Sequence, residues 1–290
     1  MKLDRGFFKF LSIGLISSWL VLFVFFPNLL VVITSFLTRD PVDLVAAQPS
    51  IDSYARTFDW LYLQVLWDSL KMSLLATFAC LLLGYPFAMA VASLSKRWQA
   101  IMLFLLIVPF WTNSLVRTYA IQFMLGKHGL INQFLLFSGI IDKPLDLLYT
   151  QFAVILGLCY ILLPFMIFPL YSSLEKLDTR LYKAATDLGA NSWSRFRLIT
   201  IPLTLPGIVA GCLMVFLPSM GMFYIADLLG GAKNLLLGNV IKTQFLNTAD
   251  WPFGSAFSVI MMLLLGAMLW LYYRATRYVS KKGGIDGADF

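Results

Sequence analysis

The sequence has 290 residues, of which 60% are hydrophobic and 13% charged, and its formal net charge is +7. Soluble domains carry about 25% charged residues, so this composition excludes an ordinary soluble protein and indicates a chain that lies in lipid. The basic excess could suggest a nucleic-acid partner. We expect none, because the basic residues cluster at the ends of apolar runs, as they do in membrane proteins.

Six apolar runs are long enough to cross a bilayer, which takes roughly 20 residues of helix. Five contain no charged residue, and the run Trp98–Gly126 contains only Arg117. They predict an all-α membrane protein that forms one domain over residues 1–290. The predicted helices cover approximately residues 10–37, 70–95, 98–125, 148–174, 203–227 and 253–277. The first run follows three basic residues, but it is too long for the apolar part of a signal peptide, so we interpret it as a membrane helix.

The cysteines and the histidine predict no metal or cofactor site on this chain. Cys80, Cys159 and Cys212 all lie inside apolar runs and form no C-x-x-C pair, so we interpret them as small packing residues. His128 is the single histidine and lies in a loop.

The distribution of Lys and Arg predicts that both termini are cytoplasmic. With that orientation fourteen basic residues lie inside: Lys2, Arg5, Lys9, Lys96, Arg97, Lys176, Arg180, Lys183, Arg195, Arg197, Arg274, Arg277, Lys281 and Lys282. Seven lie outside: Arg39, Arg56, Lys71, Lys127, Lys143, Lys233 and Lys242.

The first outer loop, Thr38–Asp68, is long and holds four large aromatics, Tyr54, Trp60, Tyr62 and Trp67. They fit either the aromatic belt at the membrane interface or a docking surface for another protein. Asp59–Lys71 is a candidate for a short helix on the membrane surface. The outer loops Lys127–Asp146 and Asp227–Asp250 are shorter and mixed in charge.

The most polar segment, residues 175–202, lies between the fourth and fifth runs and is predicted to be cytoplasmic. One helical face of it is apolar, with Leu177, Leu181, Ala184, Ala185 and Leu188 at spacings of three and four. Asp178 suits the start of this helix and Gly189 a left-handed end. Asn191 or Ser192 could begin a second short helix that reaches Thr200, before Pro202. A plain connector would need only a few residues.

The spacing within this segment resembles the EAA loop of bacterial ABC importer permeases. The matching positions are Ala184, Ala185, Gly189, Ile199, Ile201 and Pro202. Lys183 stands where the family usually has Glu, and Ile201 where it has Leu. The resemblance implies that the segment docks onto an ATPase through Lys183, Ala184, Ala185, Asp187, Leu188, Gly189 and Ala190.

Stretches along most of the chain are similar to polyamine permeases of this family, among them WLVLFVFFPNLLVVITSFLTRD, LLIVPFWTNSLVRTYA and LPSMGMFYIADLLGGAKNLLLGNVIK. The resemblance implies a six-helix type I importer fold in the bacterial inner membrane and a spermidine or putrescine substrate. It also implies three partners: a second related permease chain, two copies of a cytoplasmic ATPase that carries ATP and Mg²⁺, and a periplasmic polyamine-binding protein. The alternative is an importer of the same build for another small organic cation or a different solute.

Two other classes fit the sequence less well. The sequence holds no G-x-x-x-x-G-K-[ST] phosphate loop, so ATP must be bound on another chain. A membrane-embedded enzyme would need a nucleophile with its base, or clustered ligands, and the sequence offers neither. A purely structural scaffold would not explain the EAA spacing.

Prolines are predicted to interrupt helices three, four and five, at Pro109, Pro164, Pro169, Pro206 and Pro218. Near the first of them, Trp111 and Asn113 are candidates for lining the substrate path, with packing against lipid as the alternative for Trp111. Arg117 is expected to extend toward the outer surface or to pair locally.

Asp227 is the best candidate for recognising a cationic substrate. It directly follows the fifth apolar run, and Phe223 and Tyr224 precede it by four and three residues, which predicts a shared helical face. A carboxylate beside aromatic rings suits an ammonium group. Lys242 is expected to hold Asp227 as a closed gate until a cation competes for it. The alternative is that Asp227 simply lies at the membrane interface.

Overall fold

The computed structural model describes residues 5–231 and 234–282, so Lys2 and Lys233 of the charge count lie outside the described residues. In this part of the chain five helices are long and apolar enough to cross a membrane. A pair of helices bent by 91° makes a sixth span if it is counted as one. These spans agree with the all-α membrane protein that the apolar runs predict.

The chain divides into two compact units. The first comprises the residues up to Leu63 together with Val240–Leu265. Its elements in chain order are α1 Arg5–Leu20, a π turn Val21–Phe25, α2 Phe26–Thr34, the antiparallel strands β1 Leu37–Asp40 and β2 Leu44–Pro49, and α3 Asp52–Thr57. α1, the π turn and α2 form one apolar span, Lys9–Thr34, whose most apolar window is not buried within the chain.

The second unit comprises Gln64–Asn239 and the residues from Gly266 onward. Its elements are α5 Lys96–Ile107, a 3-10 turn Val108–Trp111, α6 Ser114–Leu125, α7 Leu130–Phe137, α8 Gln151–Glu175, α9 Thr179–Asp187, α10 Ser192–Arg195, a π turn Phe196–Thr200, α11 Ile201–Gly221, α12 Phe223–Ile225 and a π turn Ala226–Gly230. Three helices run through both units: α4 Trp60–Ser93, α13 Leu237–Leu246 and α14 Trp251–Lys282.

The predicted outer loop Thr38–Asp68 is a folded structure. The Tyr54 hydroxyl lies 2.7 Å from Ser35 Oγ, and its ring packs on Phe36. Arg56 donates to the buried Asp250 carboxylate at 2.9 Å. The prediction of a separate surface helix at Asp59–Lys71 is wrong, because this segment lacks a Gly, a Pro or a capping break and continues as the first turns of α4.

The β1–β2 turn is fixed by a carboxylate. Backbone amides of Asp43 and Val42 donate to Asp40 Oδ1, and these bonds hold the pKa of the Asp40 carboxyl below its usual range. The turn is therefore charged and ordered at neutral pH.

The second unit has a core in which α4, α8 and α11 supply fully buried side chains, among them Ala76, Cys80, Leu158, Leu162, Met166 and Val215. Sγ of Cys80 lies 3.5 Å from Sγ of Cys159, and both thiols are free. The prediction that these cysteines pack is confirmed. Small side chains let membrane helices approach closely, where dispersion and shape replace the hydrophobic driving force.

The third predicted helix, 98–125, is not continuous. It runs as α5 and a 3-10 turn to Trp111, breaks at Thr112–Asn113 and restarts as α6. Pro109 stands at the start of the 3-10 turn. Asn113 has extended backbone, and its Oδ1 accepts from the Leu115 amide at 2.8 Å, so it caps α6. The apolar run hides this break, because a capping asparagine changes mean hydropathy little.

The prolines of helices four and five do not interrupt them. Pro164 and Pro169 lie inside α8, and Pro206 and Pro218 lie inside α11. Proline removes one backbone donor, and packing against neighbouring helices lets a membrane helix tolerate the loss. α8 has such neighbours, since 61% of its apolar window is buried.

Helix five also differs at both ends. The second short helix of the polar segment does not stop before Pro202 but continues through the π turn Phe196–Thr200 into α11, so that one span covers Ser192–Gly221. Pro202 falls in the first turn of α11, where proline is tolerated. The helix then ends at Gly221, six residues before the predicted end at residue 227.

The loop between α6 and α8 is closed by one side chain. Asn132, on α7, is fully buried, and its Nδ2 donates to the carbonyls of Gly126 and Leu145 at 3.1 and 3.0 Å. Its Oδ1 accepts from the Leu145 amide at 2.9 Å. The loop therefore has a fixed shape.

Candidate functional site

The first candidate site lies where helix five breaks. Met222 leaves helical geometry, with ψ at 63°, and the chain restarts as α12 and a π turn that carries Asp227. Asp227 is exposed, whereas Ile225 and Leu229 on the other side of these turns are fully buried. The carboxylate therefore lies on a short turn beyond the membrane helix and not on the helix itself.

A buried amide holds this carboxylate. Asn239 is 2% exposed, and its Nδ2 donates to Asp227 Oδ1 and to the Phe223 carbonyl, the latter at 3.0 Å. Its Oδ1 accepts from the Leu236 amide at 2.9 Å. The first turn of α13 is thereby joined to the break.

The two aromatics beside Asp227 have different surroundings. Phe223 is 38% exposed, as expected for a residue four positions before an exposed Asp227. Tyr224 packs against the core of the second unit, with its ring 6.2 Å from Phe223 and nearly perpendicular to it. Phe223 is thus the aromatic that shares the exposed side of the turn with Asp227.

The remaining predicted site residues lie on other elements. Lys242 is on α13, three residues after Asn239 and so on the same helical face. Trp111 ends the 3-10 turn; its ring is 74% exposed and meets Phe104 edge-on.

Arg117 pairs locally with aromatic rings. Its guanidinium lies 4.9 Å from the centre of the Phe110 ring and 6.0 Å from that of Tyr160. Its Nε is buried and has no hydrogen-bond partner in the described part of the chain. The rings stabilise the charge through their negative faces.

The second candidate site is the polar segment, whose helix has the predicted ends. Asp178 Oδ1 accepts from the Arg180 amide at 2.8 Å, which confirms the N-cap. Gly189 has a φ of +81°, which confirms the left-handed end, and the amide of Ala190 bonds back to the Ala185 carbonyl at 2.9 Å.

α9 presents the residues that the EAA resemblance implies. Leu188 is 88% exposed. Ala185 and Ala190 are half-buried, and the others, Lys183, Ala184, Asp187 and Gly189, are exposed. An exposed leucine among small residues is an open apolar surface in this chain.

Two side-chain bonds connect α9 to helix five, and a third connects helix five to α4. The Tyr182 hydroxyl lies 2.7 Å from Thr200 Oγ1, and Arg195 donates to Thr186 Oγ1 at 2.9 Å. One turn further along, Thr204 Oγ1 lies 2.9 Å from the Tyr85 hydroxyl on α4. These bonds link α9 to helix five and, through Thr204, to α4.

The sequence reasoning missed Asn239 and the tie at Thr200. Asn239 had one available signal, a polar residue within the apolar stretch NLLLGNVI. Thr200 had none, because its role depends on a hydroxyl that lies eighteen residues away in the chain.

The apolar helices of the described residues are those of a multi-span membrane protein. The chain belongs to the family described as binding-protein-dependent transport system inner membrane component, whose model matches residues 81–281. It is therefore an inner-membrane component of a transport system.

Two relatives similar to nearly the whole chain are permeases named for spermidine and putrescine. The chain is 57% identical over 267 residues to the spermidine/putrescine transport system permease protein PotB of Escherichia coli (strain K12), covering 92% of this chain and 97% of the relative. It is 56% identical over 275 residues to PotB of Salmonella typhimurium (strain SL1344), covering 95% and 96%.

The fold has a solved counterpart. A bacterial alginate ABC transporter, solved in complex with an alginate pentasaccharide-bound periplasmic protein, contains a chain that matches with a TM-score of 0.75 and 14% identity, over 96% of this chain and 99% of that one. Family and fold together confirm the predicted type I ABC importer permease. The orientation of the termini stays a prediction.

Proposed function

We propose that this chain is one permease subunit of an ATP-driven importer of polyamines of the spermidine and putrescine class. The relatives that carry this name align with nearly the whole chain at more than half identity, which supports a shared substrate class. The chain would form half of the path across the inner membrane, and a second, related permease chain the other half.

The observation that carries the proposal is the exposed Asp227 carboxylate at the break in helix five. An ammonium group gains charge-assisted hydrogen bonds from a carboxylate and a further attraction from an aromatic face. Phe223 offers such a face on the same side of the turn. A site of this chemistry favours a polycation and disfavours an anion.

The energy for transport would come from a partner. Two copies of a cytoplasmic ATPase would bind ATP and Mg²⁺, and one would dock onto α9 through the alanine and leucine surface described above. Closure of the ATPase dimer would move α9, and the bonds at Thr200 and Thr204 would carry the motion into α11 and α4. No covalent chemistry takes place on this chain.

A periplasmic polyamine-binding protein would deliver the substrate to the outer side. Alternating access then follows: the loaded binding protein docks, ATP binding opens the path outward, and hydrolysis resets it. Trp111 is proposed to line this path, and its high exposure within the chain agrees with that position.

Uptake of labelled spermidine by the reconstituted complex in lipid vesicles tests the proposal. Asp227→Asn should reduce uptake efficiency about 10- to 100-fold, since a hydrogen bond to a charged group contributes about 1.5–3 kcal/mol and 1.4 kcal/mol is a factor of ten. Phe223→Ala should cost less, and Tyr224→Ala less again. Lys242→Met tests the predicted gate and should raise basal ATP hydrolysis without substrate.

Asp142→Asn is the matched control, because it removes an exposed loop carboxylate and the same unit of charge. Normal spermidine uptake by a well-assembled Asp227→Asn complex would contradict the recognition role. Preferred uptake of a different cation or a neutral solute over spermidine and putrescine would instead favour the alternative substrate class.

A further inference from the structure

Asn239 connects two backbone groups and one carboxylate through a single buried amide. Its Oδ1 accepts from the Leu236 amide, and one Nδ2 hydrogen goes to the Phe223 carbonyl. The second Nδ2 hydrogen goes to the carboxylate of the exposed Asp227. The bond therefore fixes where one carboxylate oxygen lies.

The frame around this bond is closely built. Gly238 lies so near the end of α11 that a Cβ there would come within 2.6 Å of the Gly221 carbonyl oxygen, so only glycine permits this approach. On the far side, Asn234 donates to the Gly230 carbonyl at 2.8 Å. The break at Met222 and the start of α13 are thus held together at two adjacent points, Gly238 against Gly221 and Asn239 against the Phe223 carbonyl.

We propose that Asn239 is the positioning residue for Asp227 in substrate recognition. The inference rests on the proposed function, since it assumes that Asp227 meets the ammonium group. The bond from Asn239 restricts the rotation of the Asp227 carboxylate, so that less side-chain freedom is lost when the cation binds. Because Asn239 lies on α13, the orientation of the Asp227 carboxylate also depends on the position of α13.

Asn239→Gln tests positioning while it keeps both amide donors and the acceptor. Glutamine moves the amide by one methylene, so the carboxylate that it holds is displaced. We expect the half-saturating spermidine concentration for uptake to rise about tenfold, the lower end for loss of a hydrogen bond to a charged group, with little change in the maximal rate. Asn239→Ala should raise it at least as much; if that variant does not assemble, Asn239→Gln decides alone.

Asn234→Ala is the matched control. It removes a buried amide from the same frame without touching Asp227, so it should reduce assembly or the maximal rate and leave the half-saturating concentration within about twofold. An equal rise in the Asn234 and Asn239 variants would overturn the inference, because both effects would then be structural.

A double-mutant cycle separates this inference from the proposed function. In the Asp227→Asn background, Asn239→Gln should cause no further rise in the half-saturating concentration. A further tenfold rise would show that Asn239 acts independently of Asp227 and would overturn the positioning role. If Asp227→Asn impairs uptake and Asn239→Gln alone does not, the inference fails while the proposed function stands; if Asp227→Asn transports normally, the proposed recognition site itself fails.

Discussion

Leu188 gives the sharpest test of the proposed ATPase docking surface. It is 88% exposed, so it contributes almost nothing to the stability of this chain on its own. Fully burying a leucine side chain contributes about 1.5–3 kcal/mol, which corresponds to about 10- to 100-fold in affinity. Leu188→Ala should therefore weaken ATPase binding by nearly that factor, while the unfolding temperature of the isolated permease stays unchanged.

A charge at the same surface should be worse than a truncation. Leu188→Asp and Ala185→Asp would each bury an unpaired carboxylate at the interface, which costs several kcal/mol and should abolish assembly and ATP-driven uptake. Binding of the purified ATPase to permease in nanodiscs, measured by titration, provides the readout. Leu246→Asp is the control, since Leu246 is 74% exposed at the end of α13, on the side predicted to face outward. Wild-type ATPase affinity and uptake in both aspartate variants would refute the docking surface.

Two further predictions concern the outer side. Trp60 is 80% exposed, so a photo-crosslinking residue at position 60 should label the periplasmic binding protein. Position 54 should label weakly, because Tyr54 is bonded to Ser35 and packed on Phe36. Labelling of lipid alone at position 60 would favour the aromatic belt at the membrane interface. Asn132→Ala removes the side-chain hydrogen bonds to the part-buried backbone groups of Gly126 and Leu145 at a cost of about 0.5–1.5 kcal/mol each, so proteolysis within residues 126–146 should become faster. An unchanged cleavage rate and unfolding temperature would show that water replaces the amide.

The features that the sequence predicts well are those set by local chemistry. Apolar run length predicts the long helices, because a bilayer requires it whatever the neighbours are. The ends of α9 follow from Asp178 and Gly189. The Asp178 side chain bonds the backbone amide two residues later, and Gly189 has the positive φ that favours a residue without a side chain. The exposed surface of α9 follows from the same segment's polarity.

The features that the sequence does not predict depend on groups far apart in the chain. The break at Asn113 and the early end at Gly221 both lie inside apolar runs, so an average of hydropathy along the sequence does not detect them. The prolines of helices four and five wrongly predict helix breaks, because packing against neighbouring helices decides whether a helix tolerates the missing backbone donor. Spacing alone predicts that Tyr224 lies on the same helical face as Phe223, but in the structure Tyr224 packs against the core of the second unit.

The two breaks follow one physical rule. A helix that stops within an apolar run frees backbone carbonyls and amides, and lipid cannot satisfy them, so protein or water must. At the first break the Asn113 side chain bonds the Leu115 amide, and at the second the Asn239 side chain bonds the Phe223 carbonyl. In each case an asparagine satisfies the backbone, and a side chain suited to a cation, Trp111 or Asp227, is left on the exposed side. An ionised Asp within a continuous helix at the bilayer centre would cost about 2.5–3.5 kcal/mol. Placing Asp227 on a break whose backbone groups are satisfied, beyond the end of the membrane helix at Gly221, lowers that cost.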